Sequence, residues 1–179
     1  MKKITAPLKK EDIKGLRAGD LVYLSGIIYT ARDQAHKKLA VFIKRNRKIP
    51  FDIKNTIIYY CGPTPSPEGK VIGSCGPTTS SRMDEFTPAL IRKGVVAMIG
   101  KGRRSRRVRE FIKRYKSVYF LAPSGCGAYL ALKVKKKRLV AFKNLGPEAI
   151  LELEVENFPL IVGIDSRGND VYQRIAYSV

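Results

Sequence analysis

The sequence contains little histidine, little cysteine and few acidic residues. Its 179 residues include one histidine, three cysteines and 15 Asp or Glu residues. A single histidine excludes a metal site built from several histidines of this chain. The cysteines (Cys61, Cys75 and Cys126) are odd in number and widely spaced, without a C-x-x-C pair. This pattern indicates neither a zinc knuckle nor a ferredoxin-type cluster, so we predict small buried or semi-buried thiols and no metal ligands.

Long apolar stretches are also missing. No apolar run approaches the roughly 20 residues that a membrane helix requires, and the first residues carry charge without the apolar stretch of a signal peptide. We therefore expect a cytoplasmic protein without membrane association. Since 44% of the residues are hydrophobic, the chain can bury a core. We expect one domain over residues 1–179, with residues 1–18 as a polar N-terminal arm.

Positive charge dominates the ionisable residues. The 35 Lys and Arg residues against 15 acidic ones give a formal net charge of +20. This excess favours an anionic partner, which could be nucleic acid, an acidic subunit or a small polyanion. The basic run at 101–116 carries no recognisable RNA- or DNA-binding motif and no aromatic stacking string. A nucleic-acid-binding module is therefore a distant alternative.

Hydrophobic patterns predict alternating strands and helices. The predicted strands are 21–30, 55–60, 71–74, 95–99, 118–121, 139–142, 152–158 and 160–164. The predicted helices are 32–46, 82–93, 105–116 and 125–135. Pro88 should kink or divide its helix, Gly94 should end it, and Ser105 should cap the next. This alternation predicts an α/β domain of layered sheet and helices.

The stretch T-A-R-D-Q-A-H-K at 30–37 lies where a strand is predicted to end and a helix to begin. The first turn of a helix leaves backbone N–H groups free to bind an anion. Arg32 and His36 are four residues apart and share a helix face. The planar guanidinium of Arg32 can hold a carboxylate through two parallel hydrogen bonds. The alternative is a solvated surface position for Arg32 and Asp33.

A second candidate site is G-S-C-G-P-T-T-S-S-R-M-D at 73–84. Its glycines allow the backbone to approach a ligand closely. Thr78 and Thr79 place hydroxyls at a helix start, and Arg82 follows in the first turn, although an ordinary capped helix would look similar. Lys101, between two glycines at a predicted strand end, is either a ligand contact or a solvated turn residue.

Together these strings resemble the C-terminal region of class I fumarases, which is a separate β subunit in two-subunit fumarases and tartrate dehydratases. The matching strings are A-R-D-Q-A-H-K (31–37), G-P-T-T-S-S-R-M-D (76–84), G-K-G (100–102), G-P-E-A-I (146–150), E-V-E-N-F-P (154–159) and D-S-R-G-N-D (165–170). The resemblance spans about residues 19–172. Its most specific element is G-P-T-T-x-x-R-M-D.

The resemblance implies a swivelling β/β/α domain that closes over a partner. It implies the β subunit of an iron–sulfur hydro-lyase, with fumarate hydratase of the tricarboxylic acid cycle (fumarate and water to (S)-malate) favoured over L(+)-tartrate dehydratase (tartrate to oxaloacetate). The family's 4Fe–4S cluster is bound by three cysteines of the α part. The implied partner is therefore a cluster-bearing α subunit, in a heteromer such as α2β2, and the cysteines of this chain are not its ligands.

The resemblance also implies roles for individual residues. Arg32, Arg82 and Lys101 match the family's cations that bind the carboxylates of a C4 dicarboxylate. Thr78 and Thr79 match the threonines at the reacting carbon, with Thr78 the candidate catalytic residue. The candidate supporting residues are His36 and Asp33. Ser81 stands where fumarases often have glycine, so a different local backbone is expected there. The basic residues of 103–116 suit either an acidic α surface or solvent.

Overall fold

The computed structural model describes residues 1–176. The strands are β1 (Lys2–Thr5), β2 (Leu21–Thr30), β3 (Thr56–Tyr59), β4 (Val95–Gly100), β5 (Val118–Leu121), β6 (Val134–Ala141) and β7 (Ile150–Ile164). The helices are α1 (Lys10–Lys14), α2 (Asp33–Lys44), α3 (Thr87–Lys93), α4 (Arg106–Tyr115), α5 (Gly127–Leu132) and α6 (Val171–Ala176), with 3₁₀ helices at Ser80–Met83 and Lys143–Glu148. The predicted α/β class is confirmed. The last three residues of the predicted 1–179 domain lie outside the described residues.

The sheet closes on itself as a barrel. Strands β2, β3, β4 and β5 pair in parallel in that order. Strand β7 runs antiparallel to β5 on one edge and to β2 on the other, which completes the ring. Outside the ring, β1 pairs with β2, and β6 pairs with the first half of β7. The expected layered sheet is thus corrected, because the 15-residue β7 is long enough to join both ends of the parallel set.

The alternation of side chains along the strands divides the core in two. In β3, Ile57 and Tyr59 belong to a cluster inside the barrel, whereas Ile58 belongs to a second cluster under the helices. Helices α2, α3 and α4 contribute Leu39, Leu90 and Ile112 to that second cluster. The helices therefore cover one side of the barrel, and the strands beneath them are buried on both faces.

Helix boundaries follow the predicted caps. Ser105 caps α4, where its hydroxyl accepts a hydrogen bond from the backbone N–H of Val108. Gly94 ends α3 with a φ of 114°. Pro88 lies in the first turn of α3, and the predicted helix at 82–93 is divided into a 3₁₀ helix and α3. None of the helices in the described residues is long and apolar enough to cross a membrane.

The first 18 residues, expected as a polar arm, contain β1 and α1. Leu8, Ile13 and Leu16 are all buried in the barrel cluster. Ile4 is also buried, whereas Met1 is 80% exposed, so most of the few apolar side chains of this polar segment point inward. Their spacing is too irregular to form a pattern that the sequence alone would reveal.

Several other predicted elements were wrong. Residues 71–74 form no strand, α5 ends at Leu132, the strand predicted at 139–142 is β6 and begins at Val134, and the two predicted late strands are the single strand β7. Pro159 lies between the two predicted strands, 152–158 and 160–164. On the edge that faces β6 and β5, however, it lies between the part paired with β6 (Ile150–Val155) and the part paired with β5 (Ile161–Ile164). Its missing N–H interrupts no ladder on that edge.

Candidate functional site

The predicted site residues follow neighbouring strands at one edge of the barrel. Arg32 lies two residues after β2, and Lys101 comes directly after β4. Between them, β3 ends at Tyr59 and leads to Gly62. Because β2, β3 and β4 are parallel, these residues meet at the carboxyl ends of the strands. We call this edge the carboxyl rim; in open α/β sheets, ligands bind at the corresponding place.

The G-P-T-T segment is attached to the rim by backbone contacts. The N–H of Thr78 donates to the carbonyl of Tyr60 at 2.7 Å, and Thr79 forms a parallel bridge with Lys101. The N–H of Ser80 donates to the carbonyl of Lys101 at 3.0 Å, and the N–H of Lys101 donates to the hydroxyl of Ser80 at 3.0 Å. The two threonines therefore lie beside Lys101, although more than 20 residues separate them in sequence.

One carboxylate joins the two predicted arginines. In Arg82, Nε lies 3.0 Å from Oδ1 of Asp33 and Nη2 lies 3.1 Å from Oδ2. Nε of Arg32 lies 3.8 Å from the same Oδ2. The side chains of Arg82, Arg32 and Asp33 are 47%, 27% and 25% exposed, so solvent reaches all three. The structure thus brings two guanidinium groups to one carboxylate, which Arg82 holds at two points, whereas Nε of Arg32 is too far from it to form a hydrogen bond.

The side chain of Arg32 lies against Gly62, a glycine outside the motifs described above. A Cβ atom placed on Gly62 would lie 2.6 Å from Cδ of Arg32 and 2.8 Å from its Nη1. The side chain of Arg32 therefore runs directly over the backbone of Gly62. The only sequence signal was a C-G-P turn after a buried strand, which is too common to indicate a site.

The G-P-E-A-I string at 146–150 contacts the start of α2, next to Arg32. Oε2 of Glu148 accepts a hydrogen bond from the N–H of Gln34 at 2.7 Å, in the first turn of α2. The carboxylate occupies a free N–H at the positive end of the helix that follows Arg32. This string therefore serves the rim indirectly, by holding the start of α2.

His36 is buried beneath Arg32. Its Nδ1 lies 2.8 Å from the carbonyl oxygen of Arg32. Since a carbonyl only accepts hydrogen bonds, Nδ1 carries the proton. Burial, together with the positive charge of Arg104, lowers the pKa of His36 to about 4, against the opposing effect of the hydrogen bond to Arg32. His36 is therefore neutral near pH 7 and adds no charge to the rim.

The buried imidazole should make stability depend on pH. The folded-state pKa of about 4 lies below the ordinary value of 6.5, so the unfolded chain binds the proton more readily between these values. The contribution of His36 is then complete above pH 6.5 and is lost as the pH falls to about 4, by up to about 3 kcal/mol. We expect the difference in unfolding free energy between the native chain and His36→Gln to shrink from pH 7 to pH 4.5 in denaturant titrations. A constant difference would contradict this prediction.

Two of the sequence strings that match class I fumarases, D-S-R-G-N-D and E-V-E-N-F-P, lie away from the carboxyl rim. Asp165 follows β7, whose direction is opposite to that of β5, so D-S-R-G-N-D lies at the other end of the barrel. The carboxylate of Asp165 accepts hydrogen bonds from the backbone N–H groups of Ala18, Arg167 and Asn169. In E-V-E-N-F-P, Asn157 has a φ of 49° and its N–H donates to the hydroxyl of Ser25. These strings shape the fold and do not enter the site.

The cysteines do not form a cluster site. Cys61 and Cys75 are buried, whereas Cys126 is exposed. The adjacent Cys75 thiol and burial raise the pKa of Cys61 well above its ordinary value, which disfavours the thiolate that a metal requires. Within residues 1–176, no three His, Cys, Asp or Glu side chains are grouped to hold a metal ion. The described residues therefore do not fit an iron–sulfur cluster.

Comparison with known proteins identifies relatives that match nearly the whole chain. A protein of Methanocaldococcus jannaschii, provisionally named L(+)-tartrate dehydratase subunit beta, is 45% identical over 174 residues, which cover 94% of this chain and 89% of that protein. The L(+)-tartrate dehydratase subunit beta of Escherichia coli is 37% identical over 177 residues, covering 96% of this chain and 87% of that subunit.

A third relative is much longer. The aerobic class I fumarate hydratase of Salmonella typhimurium is 40% identical over 157 residues, which cover 87% of this chain but only 27% of that enzyme. The family described as Fumarase C-terminus matches residues 2–175. With this match and the relatives above, the chain belongs to the Fumarase C-terminus family.

Proposed function

We propose that this chain is the β subunit of an iron–sulfur hydro-lyase that converts fumarate and water to (S)-malate. The observation that carries the proposal is the convergence of Arg32, Arg82 and Lys101 on one rim. These cations come from three separate stretches of the chain, and two threonines lie beside them. A C4 dicarboxylate requires cations for two carboxylate ends and for the charge that develops during the reaction.

The arginines and the lysine bind different parts of the substrate in this proposal. The planar guanidinium groups of Arg32 and Arg82 suit two-point contacts with a carboxylate, whereas Lys101 acts as a point charge. Asp33 pairs with Arg82 and lies 3.8 Å from Nε of Arg32. A substrate carboxylate replaces these contacts, so Asp33 supports the site without contacting the reacting carbon.

Thr78 and Thr79 are assigned to the reacting carbon. The backbone of Thr78 is fixed by its hydrogen bond to Tyr60. We assign to its hydroxyl the proton transfer at that carbon, which is delivery of the proton during hydration and its removal during dehydration. A threonine hydroxyl removes a proton only after another group has deprotonated it. His36 does not meet this need, because its unprotonated Nε2 is buried without a hydrogen-bond partner among the described residues and its pKa of about 4 makes it a weak base. The proposal therefore requires a base from outside these residues.

A partner subunit completes the site. We propose that a cluster-bearing α subunit docks on the carboxyl rim, in an assembly such as α2β2, and that its own residues hold the 4Fe–4S cluster. Residues 1–179 then act as one swivelling domain that closes over the partner. Closure excludes water from the rim and strengthens each charge contact with the substrate.

L(+)-tartrate is the second candidate substrate, converted to oxaloacetate. The relatives that match this chain at nearly full length are named as tartrate dehydratase subunits, and tartrate is also a C4 dicarboxylate. The rim cations suit either diacid. The arrangement does not favour nucleic-acid binding. Backbone phosphates require only a positively charged surface, whereas this rim also groups two threonine hydroxyls with its cations.

Anaerobic reconstitution tests the proposed function. The chain is mixed with its α partner, the cluster is verified spectroscopically, and fumarate hydration and L(+)-tartrate dehydration are measured. We expect activity on one of these substrates only when both subunits are present. Absence of activity on any dicarboxylate with an intact cluster would overturn the proposal, and the ratio of the two kcat/KM values identifies the preferred substrate.

A further inference from the structure

The guanidinium of Arg104 lies beneath the carboxyl rim, out of contact with solvent. Its side chain is 0% exposed, and its Nε lies 2.6 Å from Oδ1 of Asp84. Its Nη2 lies 2.8 Å from Oγ1 of Thr87 and 3.4 Å from the hydroxyl of Tyr60. The cation also stacks on the rings of Tyr60 and Tyr119, at 5.2 and 4.9 Å from their centroids. A charge buried this deeply is tolerated only when it is paired and hydrogen-bonded.

The ion pair connects the two segments that carry rim cations. Arg104 is three residues after Lys101, and Asp84 is two residues after Arg82. The second carboxylate oxygen of Asp84 accepts a hydrogen bond from the N–H of Ser105 at 2.6 Å. The loop after β4 is therefore fixed to the 3₁₀ helix that holds Arg82.

Tyr119 provides a second connection to Lys101. Its hydroxyl lies 2.9 Å from Oγ of Ser80 and 3.0 Å from the carbonyl oxygen of Gly102. Oγ of Ser80 in turn accepts the N–H of Lys101. Burial raises the pKa of Tyr119, so the hydroxyl remains protonated and able to donate. Ser80 thus holds the backbone of Lys101 on both its N–H and its carbonyl, and Tyr119, which packs against Arg104, joins Ser80 to the carbonyl of Gly102.

We propose that Arg104 is a positioning residue for the dicarboxylate site, which sets the places of Lys101 and Arg82 through Asp84, Tyr60 and Tyr119. This inference rests on the proposed function. Stability alone does not account for a buried guanidinium here, because apolar side chains of similar volume often stabilise a core equally well. A fixed planar group with several donors is suited to holding two loops in one relative arrangement.

Two variants of the α–β complex test the inference. Arg104→Lys keeps the positive charge and removes the planar fork, and we expect it to raise KM for the dicarboxylate about 10-fold or more and to lower kcat. Tyr119→Phe removes one hydroxyl and should raise KM about 3- to 10-fold. Because Tyr119→Phe is a small change, this variant still tests the inference if the Arg104→Lys chain does not assemble with the α subunit. Leu24→Ala, inside the barrel, is the control that lowers Tm without changing KM.

A double-mutant cycle separates positioning from general loosening. In a chain that already carries Lys101→Ala, Arg104→Lys should raise KM by a smaller factor. The Lys101 side chain, one of the groups that Arg104 positions, is absent from that chain. The inference is overturned if Tyr119→Phe and Arg104→Lys keep KM and kcat within about twofold of the native values while Tm falls as in the control. An inactive native complex would instead refute the proposed function, so the two failures are distinguishable.

Discussion

Replacing Arg82 with alanine is expected to lower kcat/KM of the reconstituted complex by about 100- to 1,000-fold. Arg82 presents two N–H groups that hold the Asp33 carboxylate at 3.0 and 3.1 Å, and a substrate carboxylate would be held in the same way. Losing a charge-assisted contact of this kind in a closed site has an effect of this size. Steady-state kinetics on fumarate and L(+)-tartrate provide the measurement.

Two companion variants make this result interpretable. Arg82→Lys keeps the charge without the fork and should fall between the native enzyme and the alanine variant. Arg45→Ala removes an exposed arginine just past the far end of α2, and its kinetics should match the native values. If Arg82→Ala also leaves kcat and KM unchanged, Arg82 does not bind the substrate.

Replacing Gly62 with alanine should weaken substrate binding through Arg32. The new Cβ would lie 2.6 Å from Cδ of Arg32 and 3.0 Å from the carbonyl oxygen of Pro147. The arginine must then leave its place, since the backbone carbonyl has less freedom to move. A displacement of about 1 Å can reduce catalysis by about 100-fold. We expect KM to rise about 10- to 100-fold, with only a small change in Tm.

Gly15→Ala is the matched control, since a Cβ on Gly15 meets no atom within 4 Å and its φ of −80° suits alanine. This variant should leave both KM and Tm near native values. Equal kinetics for the two alanine variants would show that Arg32 does not need its observed position over Gly62.

Local signals made much of the fold predictable. Ser105, Gly94 and Pro88 act within a few residues of their own position, so the caps and the divided helix followed from the sequence. Barrel closure did not, because it depends on pairing between β2 and β7, which lie more than 100 residues apart. The inward-facing Leu8, Ile13 and Leu16 were missed for the same reason, since only tertiary packing gives them a common direction.

The site was predictable where a string of residues carried its own chemistry. Arg32, Thr78, Thr79, Arg82 and Lys101 were predicted in this way, and all of them lie at the carboxyl rim; their roles in binding and catalysis stay predictions. Gly62 and Arg104 were not found. Gly62 leaves room for the side chain of Arg32, and Arg104 is buried below the rim. Both features depend on contacts with residues distant in sequence, so local patterns do not indicate them.

The ring of strands has a consequence for how substrate preference could change. Each of β2, β3, β4 and β5 is bonded on both sides, so none can slide along its neighbours without breaking two ladders at once. The carboxyl ends of these strands therefore keep a fixed spacing. A change of substrate from one small diacid to another would therefore require different side chains at these strand ends, with the spacing of the strands unchanged.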